Sequence, residues 1–464
     1  MIGFGGSYTH AAGDIFIFKG GVTWAYSSAD HLFPMNLKAG GASGNPDRYT
    51  VDRTWYSGNA WKRPVFDGGQ QYGGSITTLG ANSFIIHDAN PLSNVIIDGL
   101  QLQNVGNPAD ASGTAVLFSN GGSSIEIKNC ILRPYGVQAF GYVSSTTSNH
   151  IHIHHNRIMN AGRGVIYGNV GASVNDVQVH NNTWQGYGIP LGSYHGDGLM
   201  IGCAAGCSGG DPATVTNIQF YNNFFYGSWA GGATAQYYAN GFTNNTRIYN
   251  NVFAVEDVSC NVVGTCVGSF VALANHNSNI YIYNNTFSAD SDPGSGTGKG
   301  VLISAISLVR NPSGTLVIEG NIFSGTPIDI VSDTPYSAYS SAAIDYNLHN
   351  PSSIGGYGTL SYVGGTGGYQ CKSLAACRAK GIELHGISGD PKFVSIPHGT
   401  VGSGNWHLQS SSPAIDAFPI AQAPVGIFKV DIDGNARPSE SAWDMGAYEH
   451  GALRAPGNLP GTGP

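Results

Sequence analysis

Groups able to do acid–base or ionic chemistry are sparse here: only 10% of the 464 residues are Asp, Glu, Lys or Arg. Where they gather is therefore informative. Tyr194-His195-Gly196-Asp197-Gly198 sets a carboxyl beside an imidazole. Glu256 and Asp257 offer a second carboxyl, and Arg163 a cation. Two carboxyl groups facing each other across a bound molecule can divide the work of acid and base, while an imidazole tunes the pair or holds a water. Tyr187, Tyr194, Trp229, Tyr237 and Tyr238 lie in neighbouring stretches and carry flat faces suited to stacking on a ring.

A repeat is what would bring these groups together. Ile151-His-Ile-His-His-Asn156-Arg-Ile158 returns 26 residues later as Val177-Gln-Val-His-Asn-Asn182-Thr-Trp184. Alternation of period two marks a half-buried strand, and Asn suits a tight turn because it tolerates left-handed dihedrals. The unit recurs with Leu100, Cys130, Asn156, Asn182, Asn223, Asn251, Asn285, Asn321 and Asn347 in the Asn position. Spacings of this size signal stacked units that bury their apolar faces on one another. Built from strands, the stack is an all-β solenoid, a parallel β-helix with an inward ladder of Asn amides. The longest interval, 41 residues from Asn182 to Asn223, holds Asp197. An insertion there widens a loop beside a strand, where functional residues concentrate. Arg163-Gly-Val-Ile and Asp197-Gly-Leu-Met-Ile are expected at one corner of adjacent coils, with Glu256 and Asp257 two coils on, about 9–10 Å along the axis.

This repeat resembles that of the right-handed parallel β-helix proteins of the pectin-lyase-like superfamily, over roughly residues 80–450. The resemblance implies a single right-handed solenoid with N- and C-terminal caps. Residues 1–90 are expected to form the cap and first strands, 91–350 the coils, 351–450 irregular coils and a closing cap, and 451–464 a flexible tail. Ser412-Pro-Ala-Ile-Asp416, Asp431-Ile-Asp-Gly-Asn435 and Trp443-Asp-Met-Gly-Ala-Tyr-Glu449 resemble the C-terminal signature of bacterial surface and secreted β-helix proteins, implying an extracellular setting. The Asp197 corner is similar to the Asn-Thr-Asp-Gly-apolar-Asp motif of the polygalacturonase family, whose first Asp is catalytic. Asp197 and Gly198 match in register, while His195 and Gly196 replace Asn-Thr and Met200 replaces the later Asp.

A net charge of −8 with 20 Lys and Arg leaves no basic face for nucleic acid. No signal peptide follows Met1 and no apolar run is long enough to span a membrane. Cys203 with Cys207, Cys260 with Cys266 and Cys371 with Cys377 suit local disulfides in a secreted protein, one whose signal has been removed, with Cys130 a buried thiol. His152, His154 and His180 share outward columns with Tyr221, Tyr249 and Tyr283; they read as a stacked, solvated strand face, not a metal site. No cofactor is expected. Asp431, Asp433 and Asn435 imitate a calcium loop but lack its Gly and Glu, which rejects an EF-hand-type site; a looser structural or substrate-bridging Ca²⁺ site stays open, though not indicated. Trp55 and Trp61 in the cap could stack on a sugar. The expected function is a secreted, monomeric polysaccharide-degrading enzyme, first a glycoside hydrolase acting through Asp197, His195, Glu256 or Asp257. A polysaccharide lyase using Arg163 on uronates, or a non-catalytic carbohydrate-binding surface solenoid, are the alternatives.

Overall fold

The computed structural model describes residues 8–26, 35–37, 39–69, 83–87, 91–106, 113–134, 138–159, 163–169, 171–186, 197–203, 214–227, 235–255, 268–289, 304–309, 312–326, 328–333, 339–350, 358–362, 370–396, 404–424 and 429–451. Its strands pair in parallel on three faces, which defines a parallel β-helix. Contacts divide the chain into two units, Met1–Asn217 and Ile218–Pro460.

Unit 1 begins its coils at Ile15, well before the repeat is recognisable. Its first face runs from Ile15–Phe18 and Asp47–Val51 through Val95–Asp98, Ile125–Lys128 and Ser148–His154 to Ser173–His180. The second face holds three- or four-residue strands such as Val65–Asp67 and Arg157–Met159, and the third holds strands such as Arg163–Gly168 and Leu199–Cys203. In unit 2 the faces run through Ser278–Tyr283, Thr286–Ser288 and Ser304–Val309, among others.

The corner between first and second faces takes two residues. Gly99, Asn129, His155, Asn181, Asn222, Asn250, Asn284, Gly320 and Tyr346 all have positive φ. The residue in the left-handed conformation is thus the one before the ladder Asn; the ladder Asn itself turns inward. This accounts for the Asn-Asn pairs: the first tolerates the dihedral and the second fills the core. Each ladder amide is well satisfied. Asn285 Nδ2 donates to Asn321 Oδ1 (3.0 Å), Ile248 O and Tyr283 O (both 2.9 Å). Its Oδ1 accepts from the backbone and side-chain nitrogens of Asn251. In unit 1 the ladder joins Cys130 N, Asn156 and Asn182. Around it, Phe225, Phe253, Phe287 and Phe323 stack coil on coil at 5.2 Å.

In unit 2 the ladder ends on a carboxylate. Helix α1 (Leu374–Arg378), capped by Ser373 and tied by the Cys371–Cys377 disulfide, precedes buried Glu383. Glu383 Oε1 accepts from Asn347 Nδ2 at 2.7 Å. It also lies 3.1 Å from Nε2 of His349, whose Nδ1 meets Asp329 Oδ2 at 2.7 Å. Burial alone would lower the His349 pKa, but Glu383 and Asp329 outweigh it and raise it to about 10.

Beyond Ile387–Ser388, the last strand of the second face, the C-terminal segment runs back along the corners of unit 2. Trp406, Phe418, Ile432, Trp443, Met445 and Tyr448 cluster with Phe224, Tyr226, Tyr249, Tyr283, Ile322 and Leu348. Each such buried side chain contributes about 1.5–3 kcal/mol. Asn250 Nδ2 donates to Val430 O, Asn284 Nδ2 to Asp444 O, and Gly446 N to Gly320 O. The tyrosine column is stacked, as the sequence suggested, but not solvated: Tyr249 and Tyr283 are buried beneath this segment. The Asp431 carboxylate is used within the protein, accepting from Asp433 N, Asn435 N, Asn435 Nδ2 and Glu449 N. Arg437 and Glu449 form a fully buried pair at 2.6 Å.

The Cys371–Cys377 pairing is as expected, Cys203 is disulfide-bonded, and Cys207, Cys260 and Cys266 lie outside the described residues. Cys130 is a buried thiol in the ladder position, its pKa pushed up to about 12 by burial. Alkylation of denatured, unreduced protein should label one thiol, Cys130; three or more would show a short pair to be open. Because the His349 pKa is raised above its unfolded value of 6.5, its stabilisation is complete below that pH and is lost as pH climbs through about 10. His349→Gln, which strands two buried carboxylates, should cost about 3–5 kcal/mol in chemical denaturation at neutral pH. The variant should also lose the alkaline slope of the wild-type stability curve.

Candidate active site

Among the described residues, an open cavity of about 520 Å³ in unit 1 concentrates the right chemistry. It is lined by Thr50, Val51, Arg53, Arg63, Asp98, Gly99, Asn129 and His155. Its floor is the corner column, where left-handed Gly99, Asn129 and His155 follow one another on successive coils. Its wall is the loop between the strands Asp47–Val51 and Val65–Asp67.

Each group is held by a nameable contact. Asp52 caps the short helical turn Arg53–Trp55, accepting from Thr54 N at 2.8 Å. The Arg53 guanidinium stands 5.4 Å over the Trp61 ring, which Tyr56 meets edge-on. Arg63 Nη1 donates to Gly99 O (3.1 Å) and Asn129 O (2.5 Å), pinning two corners. Burial lowers its pKa, but a guanidinium stays charged at neutral pH. Asn129 Nδ2 donates to Asp98 Oδ1 at 2.8 Å. Trp55 is 56% exposed.

His155 belongs also to an imidazole group on the first face. Its Nδ1 is 2.7 Å from Nδ1 of His154, whose Nε2 meets Glu126 Oε1 at 2.8 Å. The rings of His154 and His180 stack 4.8 Å apart, the aromatic ladder the columns predict. Burial lowers the pKa of His155, and neighbouring His154 and Lys128 add to it. Burial likewise brings His180 down to about 4. Glu126 is lowered too, from a different cause: the His154 hydrogen bond, reinforced by Lys128, holds its carboxylate at about 2 against burial. The cavity thus holds a neutral imidazole between fixed cations and one carboxylate.

The residues expected from the sequence are placed differently. Asp197 is fully buried, two residues before the strand Leu199–Cys203. Gly164 pairs with Leu199, so Arg163 faces Gly198 and not Asp197, one residue out of the expected register. Arg163 is half-buried and its Nη1 donates to Met200 Sδ at 3.1 Å. Tyr237 points inward against Phe220 and is fully buried, which removes it as a stacking platform; Tyr238 is half-buried. Tyr187, Tyr194, His195, Trp229, Glu256 and Asp257 lie outside the described residues. Arg53, Arg63, Asp98 and His155 were not expected as a set. The signal was in the corner column, where one coil carries His155 while most others carry Gly or Asn.

The fold defines the chain as a parallel β-helix protein. No protein-family model matches it, and neither does any curated protein. Solved structures similar to it include DFA-IIIase from Arthrobacter chlorophenolicus, at 11% identity and TM-score 0.39 over 81% of this chain and 82% of that one. The PL6 family alginate lyase AlyGC is similar at 13% identity and TM-score 0.28, over 77% and 51% of the two chains. A rhamnogalacturonan lyase is similar at 14% identity and TM-score 0.27, over 73% and 80%. Such a fold serves many chemistries, so the site itself has to argue the function.

The Glu126 shift is directly measurable. Its folded pKa lies below the ordinary 4.5, so its stabilising contribution is present above that pH and lost as pH falls toward about 2. An NMR titration should find this carboxylate near 2 in the wild type and moved up toward 4.5 in His154→Asn. An unmoved value would show that the imidazole is not its main partner.

Proposed function

We propose that this cavity binds an acidic polysaccharide and cleaves it by β-elimination beside a uronate residue. The observation that carries the reading is the meeting of two guanidiniums, Arg53 and Arg63, with the imidazole of His155 and the carboxylate of Asp98 in one open cavity. Elimination needs the uronate carboxylate neutralised, so that the proton on the adjacent carbon becomes acidic. Guanidiniums do this best, through paired charge-assisted hydrogen bonds. It then needs a base that is unprotonated at neutral pH, which the lowered pKa of His155 supplies. The proton passes from the ring carbon to His155 as the glycosidic carbon–oxygen bond breaks and a carbon–carbon double bond forms. The protonated imidazole returns the proton to the departing oxygen. Asp98 is placed to accept from sugar hydroxyls, and exposed Trp55 offers a face for a neighbouring ring.

The overall acidity of the chain does not oppose this, because the cations are local and the polymer is met at one corner. Hydrolysis through Asp197 has weaker support, since that carboxyl is fully buried. The Cys371–Cys377 disulfide supports the secreted setting that a polysaccharide substrate requires.

Purified protein offered neutral and acidic polysaccharides should release unsaturated uronate, read by its ultraviolet absorbance, from acidic polymers alone. His155→Asn installs the residue that other coils carry at this left-handed corner, so the melting temperature should hold while turnover falls at least about 10²-fold. Arg53→Gln should lower kcat as well as raise KM, because the guanidinium both holds the carboxylate and makes the neighbouring proton acidic. New reducing ends without the absorbance would establish hydrolysis instead, and binding without products a non-catalytic solenoid.

A further inference from the structure

A second left-handed column opens the first face: Ser124, His150, Asp176, Asn217, Asn245, Asn279 and Gly314 all have positive φ. Small or amide side chains fill it except on two adjacent coils of unit 1, where His150 and Asp176 stand. The flanking residues pair as Asn149 with Asn175 and Ile151 with Val177, so these two project side by side. His152, two residues along the strand, turns outward to the same place. We propose that His150, His152 and Asp176 form a binding site for a divalent transition-metal ion of the zinc type.

Their donor atoms all lie within 4.8 Å of one another. Asp176 Oδ2 is 2.5 Å from His150 Nδ1 and 3.9 Å from His152 Nε2. That last nitrogen is shielded from solvent and makes no hydrogen bond among the described residues. A buried polar nitrogen without a partner is costly, and an ion seated between it and the carboxylate would satisfy it. The other carboxylate oxygen, Asp176 Oδ1, accepts from Gln178 Nε2 at 3.0 Å, the kind of outer contact that orients a metal-binding carboxylate. Two imidazoles and one carboxylate suit zinc and leave a coordination position open, whereas calcium and magnesium prefer oxygen throughout. The side chain of His150 is 56% exposed, so the open position faces solvent. The neighbouring group His154, His155 and His180 is a poorer cage. Both nitrogens of His154 are engaged, with His155 and Glu126, and its ring lies flat on His180.

This site is independent of the proposed elimination chemistry, and the test reads binding, not turnover. Zinc chloride titrated calorimetrically into chelator-treated wild type should bind one equivalent, calcium chloride none. His152→Ala and Asp176→Asn should each weaken binding at least about tenfold, and Gln178→Leu about tenfold through the lost outer contact. His180→Ala should leave the isotherm unchanged, and circular dichroism should confirm that every variant is folded. Absence of zinc binding in the wild type would overturn the proposal, as would binding that survives Asp176→Asn or that is lost in His180→Ala.

Discussion

A left-handed residue followed by a buried asparagine turns the chain at coil after coil, and the amide so buried is fully satisfied only with the coils on either side. Asn321, for example, gives its side-chain nitrogen to Asn347 Oδ1, Ile282 O and Glu319 O. A buried amide stripped of these partners costs about 1–3 kcal/mol. No coil in the ladder is therefore stable on its own terms. The ladder must also stop somewhere. In unit 1 it stops at Cys130, a side chain that asks for little, and in unit 2 at Glu383, a carboxylate that asks for a cation and receives His349.

The same corner decides what the surface can do. The left-handed residue offers a polar anchor point, a carbonyl at Gly99, Asn129 and Gly320 and a side-chain amide at Asn250 and Asn284. In unit 1, Arg63 takes the carbonyls of Gly99 and Asn129 and stays beside an open cavity. In unit 2, the C-terminal segment engages Asn250, Asn284 and Gly320, and covers the corners with Trp443, Met445 and Tyr448. One repeated turn thus supports a charged recess in one unit and an apolar seam in the other.

The solenoid was legible because strand alternation and the ladder Asn recur on the page at each coil. So were the Cys371–Cys377 bond and the buried thiol of Cys130. The site was much less so. Asp197 drew attention through Asp-Gly at a strand start, yet a bulge-free register placed Gly164 against Leu199 and left the acid inside. Tyr237 and Tyr238 are adjacent, and strand alternation sends one inward; the choice depends on where the strand begins, which no residue pattern marks. Arg53 and Arg63 sit in coils whose core is built from Phe18, Trp24 and Phe66 in place of ladder amides, so the pattern that reveals the later coils is silent there. Only the stacking of coils brings them to His155.

The return path of the C-terminal segment orders events in time. Asn284 finds its acceptor 160 residues further along the chain, and Asn250 finds its own 180 residues on. Contacts of such separation form slowly, because a long loop must close before they repay its entropy. The coils of unit 2 must exist before the segment has a track to lie on. During synthesis the strip of Phe224, Tyr249, Tyr283 and Ile322 waits uncovered until Trp406 to Tyr448 have emerged. The chain is thus laid down as a spiral and then laced, and the lacing is the step at which a nascent molecule is most open to association with another.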